Sequence, residues 1–121
     1  MNTLYLTETQ DTPQVTLNKN DGVFELVGRS LPEDSVEFYA PVLQWIRDYA
    51  KAPNPVTAFH FKLEYFNTSS SKLILDLLHE LKHIKNITVF WHYHQEDESM
   101  DEAGHEYAEQ VEIPFEFKVL Q

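Results

Sequence analysis

The chain has 121 residues, 42% of them apolar, with eight Phe and six Tyr, and its twenty acidic against nine basic side chains leave a net charge of −11. That is a single domain, residues 1–121, long enough for a packed core and too short for two; its acidity argues against nucleic acid or an anionic membrane as partner, since both demand clustered Lys and Arg. No cysteine is present, which excludes disulfides and thiolate metal sites and fits a reducing, cytoplasmic setting.

Residues 3–8 and 14–18 read as short strands separated by the turn-prone Gln10-Asp11-Thr12-Pro13. The first six residues, Met1-Asn2-Thr3-Leu4-Tyr5-Leu6, carry neither a basic n-region nor a long apolar run, so no signal peptide is expected. Nor do eighteen apolar residues run together anywhere, so no membrane insertion is expected. Asn18-Lys19-Asn20-Asp21-Gly22 is a turn cluster, and the alternating Val23 to Val27 after it predicts an antiparallel hairpin. Ser30-Leu31-Pro32-Glu33 has the spacing of a capping box with an early Pro, and predicts a helix start. The helix that follows places Val36, Tyr39, Val42, Leu43, Ile46 and Tyr49 on one stripe and ends near Ala50, ahead of Pro53-Asn54-Pro55. Val56 to Phe66 reads as a central strand covered on at least one face. A second helix runs from about Thr68 and buries Leu73, Ile74, Leu77, Leu78, Leu81 and Ile84. Asn86 to Tyr93, rich in β-branched and aromatic residues, is the strongest strand. The acidic Glu96 to Glu112 predicts a third helix, and 113–120 a last strand. Strands alternating with helices imply right-handed crossovers and a parallel core, made mixed by the N-terminal hairpin: an α/β domain of about five to six strands and about three helices.

Working surfaces of such sheets lie beyond the carboxyl ends of the strands, where Tyr65-Phe66-Asn67-Thr68-Ser69-Ser70-Ser71-Lys72 falls. The first N–H groups of a helix are unpartnered and its macrodipole is positive there, so such a start can receive an oxyanion, free or attached to a hydroxyl. One hydroxyl suffices for a plain cap, and a run of four exceeds what capping requires. Arg29 is the one isolated cation expected near that edge.

Other motifs have bland readings beside their chemical ones. His79-Glu80-Leu81-Lys82-His83 matches H-E-x-x-H, the zinc-hydrolase pattern. However, the buried stripe of that helix puts His79 and His83 on the solvent side, and Lys82 sets a cation inside the motif. His92-Tyr93-His94 offers two rings to one face of a strand, a pattern of solvated rims as well as of metal sites. Asp97 to Gly104 lacks the Gly and Glu of a calcium loop and reads as an acidic helix start. With three glycines there is no phosphate loop, and no nucleophile elbow is present. The chain lacks the equipment of an enzyme and calls for no cofactor.

Taken together, Gly28-Arg29-Ser30-Leu31-Pro32-Glu33, Tyr65 to Lys72, Trp91-His92-Tyr93 and Asp97 to Gly104 resemble the SiaC family of bacterial regulatory phosphoproteins over nearly the whole chain. The Asn-Thr-Ser-Ser segment is the most specific part. The resemblance implies a STAS-like fold, related to the anti-sigma-factor antagonists, and a partner-switching role. The family threonine falls on Thr68, which a Ser/Thr kinase of the histidine-kinase-like ATPase class would phosphorylate and a PPM-type phosphatase would restore. The unphosphorylated form would bind and activate a diguanylate cyclase and so promote biofilm growth. Asn67, Ser69, Ser70, Ser71, Lys72 and Arg29 would surround the phosphosite or meet the partner. Members often carry an aromatic residue before the Pro of the first motif, where this chain has Leu31, a difference that bears on partner identity. Two alternatives stand beside this reading: a zinc hydrolase using His79, Glu80 and His83, and a constitutive scaffold or small-ligand sensor on the same fold in which Thr68 is only a cap.

Overall fold

The computed structural model describes residues 1–120. Six strands and three helices follow in the order β1 (Leu4–Leu6), β2 (Gln14–Asn18), β3 (Val23–Ser30), α1 (Ser35–Tyr49), β4 (Thr57–Phe66), α2 (Thr68–Leu81), β5 (Ile87–His94), α3 (Glu98–Val111) and β6 (Phe115–Leu120). The strands lie side by side in chain order in one sheet. β1, β2 and β3 are antiparallel neighbours, while β3, β4, β5 and β6 run parallel. This is the expected mixed α/β sheet with three helices.

Local chemistry accounts for the turns. Asn18 accepts from the Asp21 N–H at 3.0 Å, and Gly22 takes the left-handed backbone (φ +69°) that closes the hairpin. Asp34 caps α1 by accepting from the Glu37 N–H at 3.1 Å, so that helix starts four residues later than the Ser30 capping box suggests. Ser30 is instead the last residue of β3, fully buried, with its hydroxyl 2.6 Å from the Tyr39 hydroxyl. A buried partner of this kind outcompetes a cap. Val36 also departs from the expected stripe: it is 67% exposed and lines the open groove between α1 and α2, while Trp45, outside that stripe, is buried in the core.

With strands 3 to 6 laid down in one direction, right-handed crossovers bring all three helices to the same face. Alternation along the strands bears this out. Val15, Leu17, Phe24, Leu26, Phe59, Phe61, Leu63, Val89 and Trp91 are buried under the helices, whereas Thr16, Glu25, His60, Lys62, Phe90 and His92, on the other face, are only partly covered. α2 sits at the centre, and each of its buried Leu73, Ile74, Leu77, Leu78 and Leu81 contributes about 1.5–3 kcal/mol. α3 docks through Gly104, where a Cβ would come within 2.6 Å of the Trp91 indole nitrogen, while that nitrogen donates to the Met100 carbonyl at 2.9 Å.

Candidate functional site: the start of α2

The junction between β4 and α2 is shaped by a bulge. Gly28 pairs with Leu63 but Arg29 pairs with Tyr65, so Glu64 is the extra residue. The shift turns Phe66 inward, against Trp91 and Tyr107 at ring separations of 6.5 and 6.2 Å. Tyr65 is sent to the open face, where the Arg29 guanidinium lies 5.6 Å from its ring centroid. Arg29 is therefore held on the side of β3 opposite to Ser30 and packs on Tyr65, while the hydroxyl run lies on the helix side.

The helix is capped by Asn67, not by a hydroxyl. Its side-chain oxygen accepts from the Ser70 N–H at 2.8 Å and from the Ser69 hydroxyl at 3.2 Å, and its own N–H donates to the Ser30 carbonyl at 3.0 Å. Each serine of the run is also engaged. Ser69 is 2.8 Å from the Ser35 hydroxyl of α1, Ser70 is fully buried and accepts from Ser30 at 2.9 Å, and Ser71 donates to the Thr68 carbonyl at 2.6 Å. Tyr107 of α3 donates to the Ser71 carbonyl at 2.9 Å. Burial pushes the Tyr39 phenol up to about 12, against the opposing effect of its hydrogen bond with Ser30, and raises Tyr107 as well. Both phenols thus stay protonated donors. Thr68 is exposed, as Ser69 is, but differs from all three serines in that its hydroxyl makes no hydrogen bond among the described residues.

Thr68 and Ser69 border a groove of about 550 Å³ between α1 and α2, lined also by Glu33, Asp34, Ser35, Val36, Lys72 and Leu73. Lys72, one turn beyond Thr68, is the single cation of that lining, and the groove continues along α1 and α2 past Ala40, Leu43, Arg47 and Asp76. A larger hollow, about 830 Å³, lies on the other side of the first turn of α1, between Leu6 and Pro41, and contains none of the residues of the run. Chemically, Thr68 has no base within hydrogen-bond reach, so it is not an activated nucleophile. It is an accessible alcohol at a positive helix end, suited to accept a group delivered by another protein.

The remaining motifs separate from this site. His79 on α2 and His83, which lies two residues past the end of that helix at Leu81 rather than on it as expected, are both exposed, and Glu80 is ion-paired with Arg47 of α1. No cluster of three or more His, Cys, Asp or Glu converges among the described residues. His92 does not act with His94; its Nε2 lies 2.9 Å from Nδ1 of His60 on the open face. Asp97 caps α3 through the Met100 N–H at 3.0 Å, the acidic helix start expected of it. Sequence reasoning missed the contributions of Ser30, Ser35, Tyr39 and Tyr107, which come from three other elements. Only Ser70, three and four residues before Leu73 and Ile74 on the buried stripe, carried a signal of its burial.

The geometry defines a class of protein: a small α/β domain that presents, at a helix start, one exposed hydroxyl with no hydrogen-bond partner among the described residues. The chain belongs to the SiaC family of regulatory phosphoproteins, whose family description matches residues 6–120. A curated relative, an uncharacterised protein of Pseudomonas aeruginosa (strain UCBPP-PA14), is 29% identical over 119 residues, covering 95% of this chain and 94% of the relative. The crystal structure of apo-SiaC from Pseudomonas aeruginosa superposes with a TM-score of 0.84 at 28% identity, over 98% of this chain and 100% of that one. SiaC in the crystal structure of the diguanylate cyclase SiaD in complex with its activator SiaC, also from Pseudomonas aeruginosa, gives a TM-score of 0.87 at 26% identity, over 97% and 99%. Among the described residues no helix is long and apolar enough to cross a membrane.

Proposed function

We propose that this chain is a non-catalytic phospho-switch of a bacterial partner-switching module, acting in the cytoplasm, with Thr68 as the modified residue. A cognate Ser/Thr kinase phosphorylates Thr68 and a PPM-type phosphatase reverses it. The unphosphorylated form binds and activates a diguanylate cyclase, as the family member SiaC is paired with SiaD. The observation that carries this reading is the contrast within the run: Ser69, Ser70 and Ser71 are each hydrogen-bonded, whereas the exposed Thr68 is the one whose hydroxyl has no hydrogen-bond partner among the described residues.

The phosphate brings about −1.5 to −2 charges to the first residue of α2. The helix itself tolerates this and gains roughly 0.3–1 kcal/mol from the macrodipole, with Lys72 one turn away. The groove around it is less accommodating, since Glu33 and Asp34 already line it. Phosphorylation thus acts on the surface while the fold is kept. A partner that covers Thr68 faces an unpaired charge worth on the order of 2–5 kcal/mol, enough to undo micromolar binding. Asn67, Ser69, Ser70, Ser71 and Lys72 shape the phosphosite, while Arg29 with Tyr65 offers the partner a contact on the opposite face.

The test is intact-mass and fragment mass spectrometry of protein isolated from its own cells, followed by titration of the cyclase with both forms. One phosphate on Thr68 and binding by the bare form alone are expected. Equal binding by both forms, or a phosphate found only elsewhere, overturns the reading.

A further inference from the structure

The two edges of the sheet are treated differently. β1 is three residues long and offers little to pair with, whereas β6 runs for six and has a strand on one side only. Which of its groups face the free side follows from the ladder. The Val89 N–H donates to the Pro114 carbonyl at 2.9 Å, and Val89 pairs with Phe115. Parallel pairing then turns the amides of Glu116 and Lys118 toward β5 and leaves those of Phe115, Phe117 and Val119 pointing outward. The side chains sort just as sharply. Phe115 and Phe117 lie on the helix side, Phe117 stacked 3.9 Å from the His105 ring of α3. Glu116 and Lys118 lie on the open face, 3.5 Å apart, with the Lys118 ammonium 5.9 Å from the Phe90 ring centroid.

We propose that β6 is a self-association edge, pairing antiparallel with β6 of a second copy about a two-fold axis at Phe117. In that register Phe117 faces its own counterpart, Phe115 faces Val119 of the other copy, and all three outward residues exchange backbone hydrogen bonds. Glu116 and Lys118 of one copy then stand opposite Lys118 and Glu116 of the other at the non-hydrogen-bonded positions, where side chains approach most closely. The two adjacent registers with the same backbone parity fail on charge: an axis at Glu116 sets Glu against Glu, and one at Lys118 sets Lys against Lys. Axes at Phe115 or Val119 carry the pairing beyond the ends of β6 and join fewer of its residues. The chosen register also gathers the exposed Val119 against an aromatic neighbour. One sheet then runs through both copies, with the helices on a common side. The contact is small and belongs to the weak, reversible class.

Sedimentation equilibrium of the bare protein over a concentration series tests it, independently of any phosphorylation. A reversible dimer is expected. Lys118→Glu and Glu116→Lys should each raise the dissociation constant about tenfold or more by opposing like charges, and the double exchange should restore it. Val119→Pro removes an outward N–H without touching a bond to β5, and should abolish the dimer while leaving the monomer's melting temperature nearly unchanged. Because the chain has no cysteine, Glu116→Cys mixed with Lys118→Cys reads the register directly: the mixed disulfide should form faster than either symmetric one. A monomer throughout, up to about 1 mM, overturns the proposal. So do a double exchange as weak as the single changes, and symmetric disulfides that form as fast as the mixed one.

Discussion

The two ends of α2 carry the two most suggestive stretches of the chain, and the fold treats them in opposite ways. At the amino end, three serines are tied by hydrogen bonds to β3, α1 and their own helix, and a tyrosine of α3 reaches in to join them. At the carboxyl end, His79 and His83 project into solvent, and the glutamate between them is engaged by Arg47. The amino end spells out no catalytic pattern and is built into four elements; the carboxyl end matches a catalytic pattern and is built into almost nothing. Spacing along a helix says which residues share a face, but only the neighbouring elements say whether that face meets anything.

The comparison can be broken most forcefully at Thr68. Thr68→Asp should weaken binding of the target by about 2–5 kcal/mol, while the helix dipole holds its melting temperature close to wild type; side-by-side titrations and melts read both. Equal losses of binding and stability would mean the amino end is merely structural. Next in size, Ser70→Val should cost roughly 1–3 kcal/mol in denaturant unfolding, since it takes the acceptor from the buried Ser30 hydroxyl. Smaller again is the cap: Asn67→Ala should cost about 1 kcal/mol, whereas Thr68→Ala, which removes no hydrogen bond among the described residues, should stay within roughly 0.5 kcal/mol. A cost for Thr68→Ala as large as for Asn67→Ala would move the cap to the threonine.

The open face supplies a pH-dependent contrast. Desolvation, then the neighbouring His60, Lys62 and Lys118, depress His92 to about 4. His60 is also lowered, by burial and Lys62 against an opposing Glu25. The unfolded chain therefore takes up these protons first. The stability that the neutral His92 contributes is complete above its ordinary 6.5 and is lost as pH falls from there toward 4. His92→Gln should flatten that part of a melting-temperature profile; an unchanged slope would show the pair to be solvated. Smallest of all, His79→Ala together with His83→Ala should leave stability within about 0.5 kcal/mol and leave metal content unaltered. Loss of a stoichiometric metal would restore the hydrolase reading.

Element order and type were legible because hydrophobic period and turn residues act locally, as in the β2–β3 hairpin and α2. Less was readable where a residue's fate depends on a distant partner. Ser30 looks like a helix cap and is a buried hydroxyl, because Tyr39 and Ser70 come to it from elsewhere in the chain. Arg29 falls at the expected sheet end, but the alternation of β3 turns it to the face opposite Ser30, and the bulge at Glu64, which no composition signal marks, brings Tyr65 to meet it there. Within the hydroxyl run the position was evident and the division of labour was not, since it rests on Ser35 and Tyr107, contributed by two other helices.

The chain's two tryptophans stand near opposite margins of the sheet. Trp45 donates to the Asn2 carbonyl at 2.7 Å and stacks on Tyr49, while Trp91 is enclosed between β5 and α3. Replacing one at a time with Phe would leave a single native fluorophore on either flank. Loosening of the amino-terminal strand and detachment of α3 could then be timed separately by emission alone, without any attached dye.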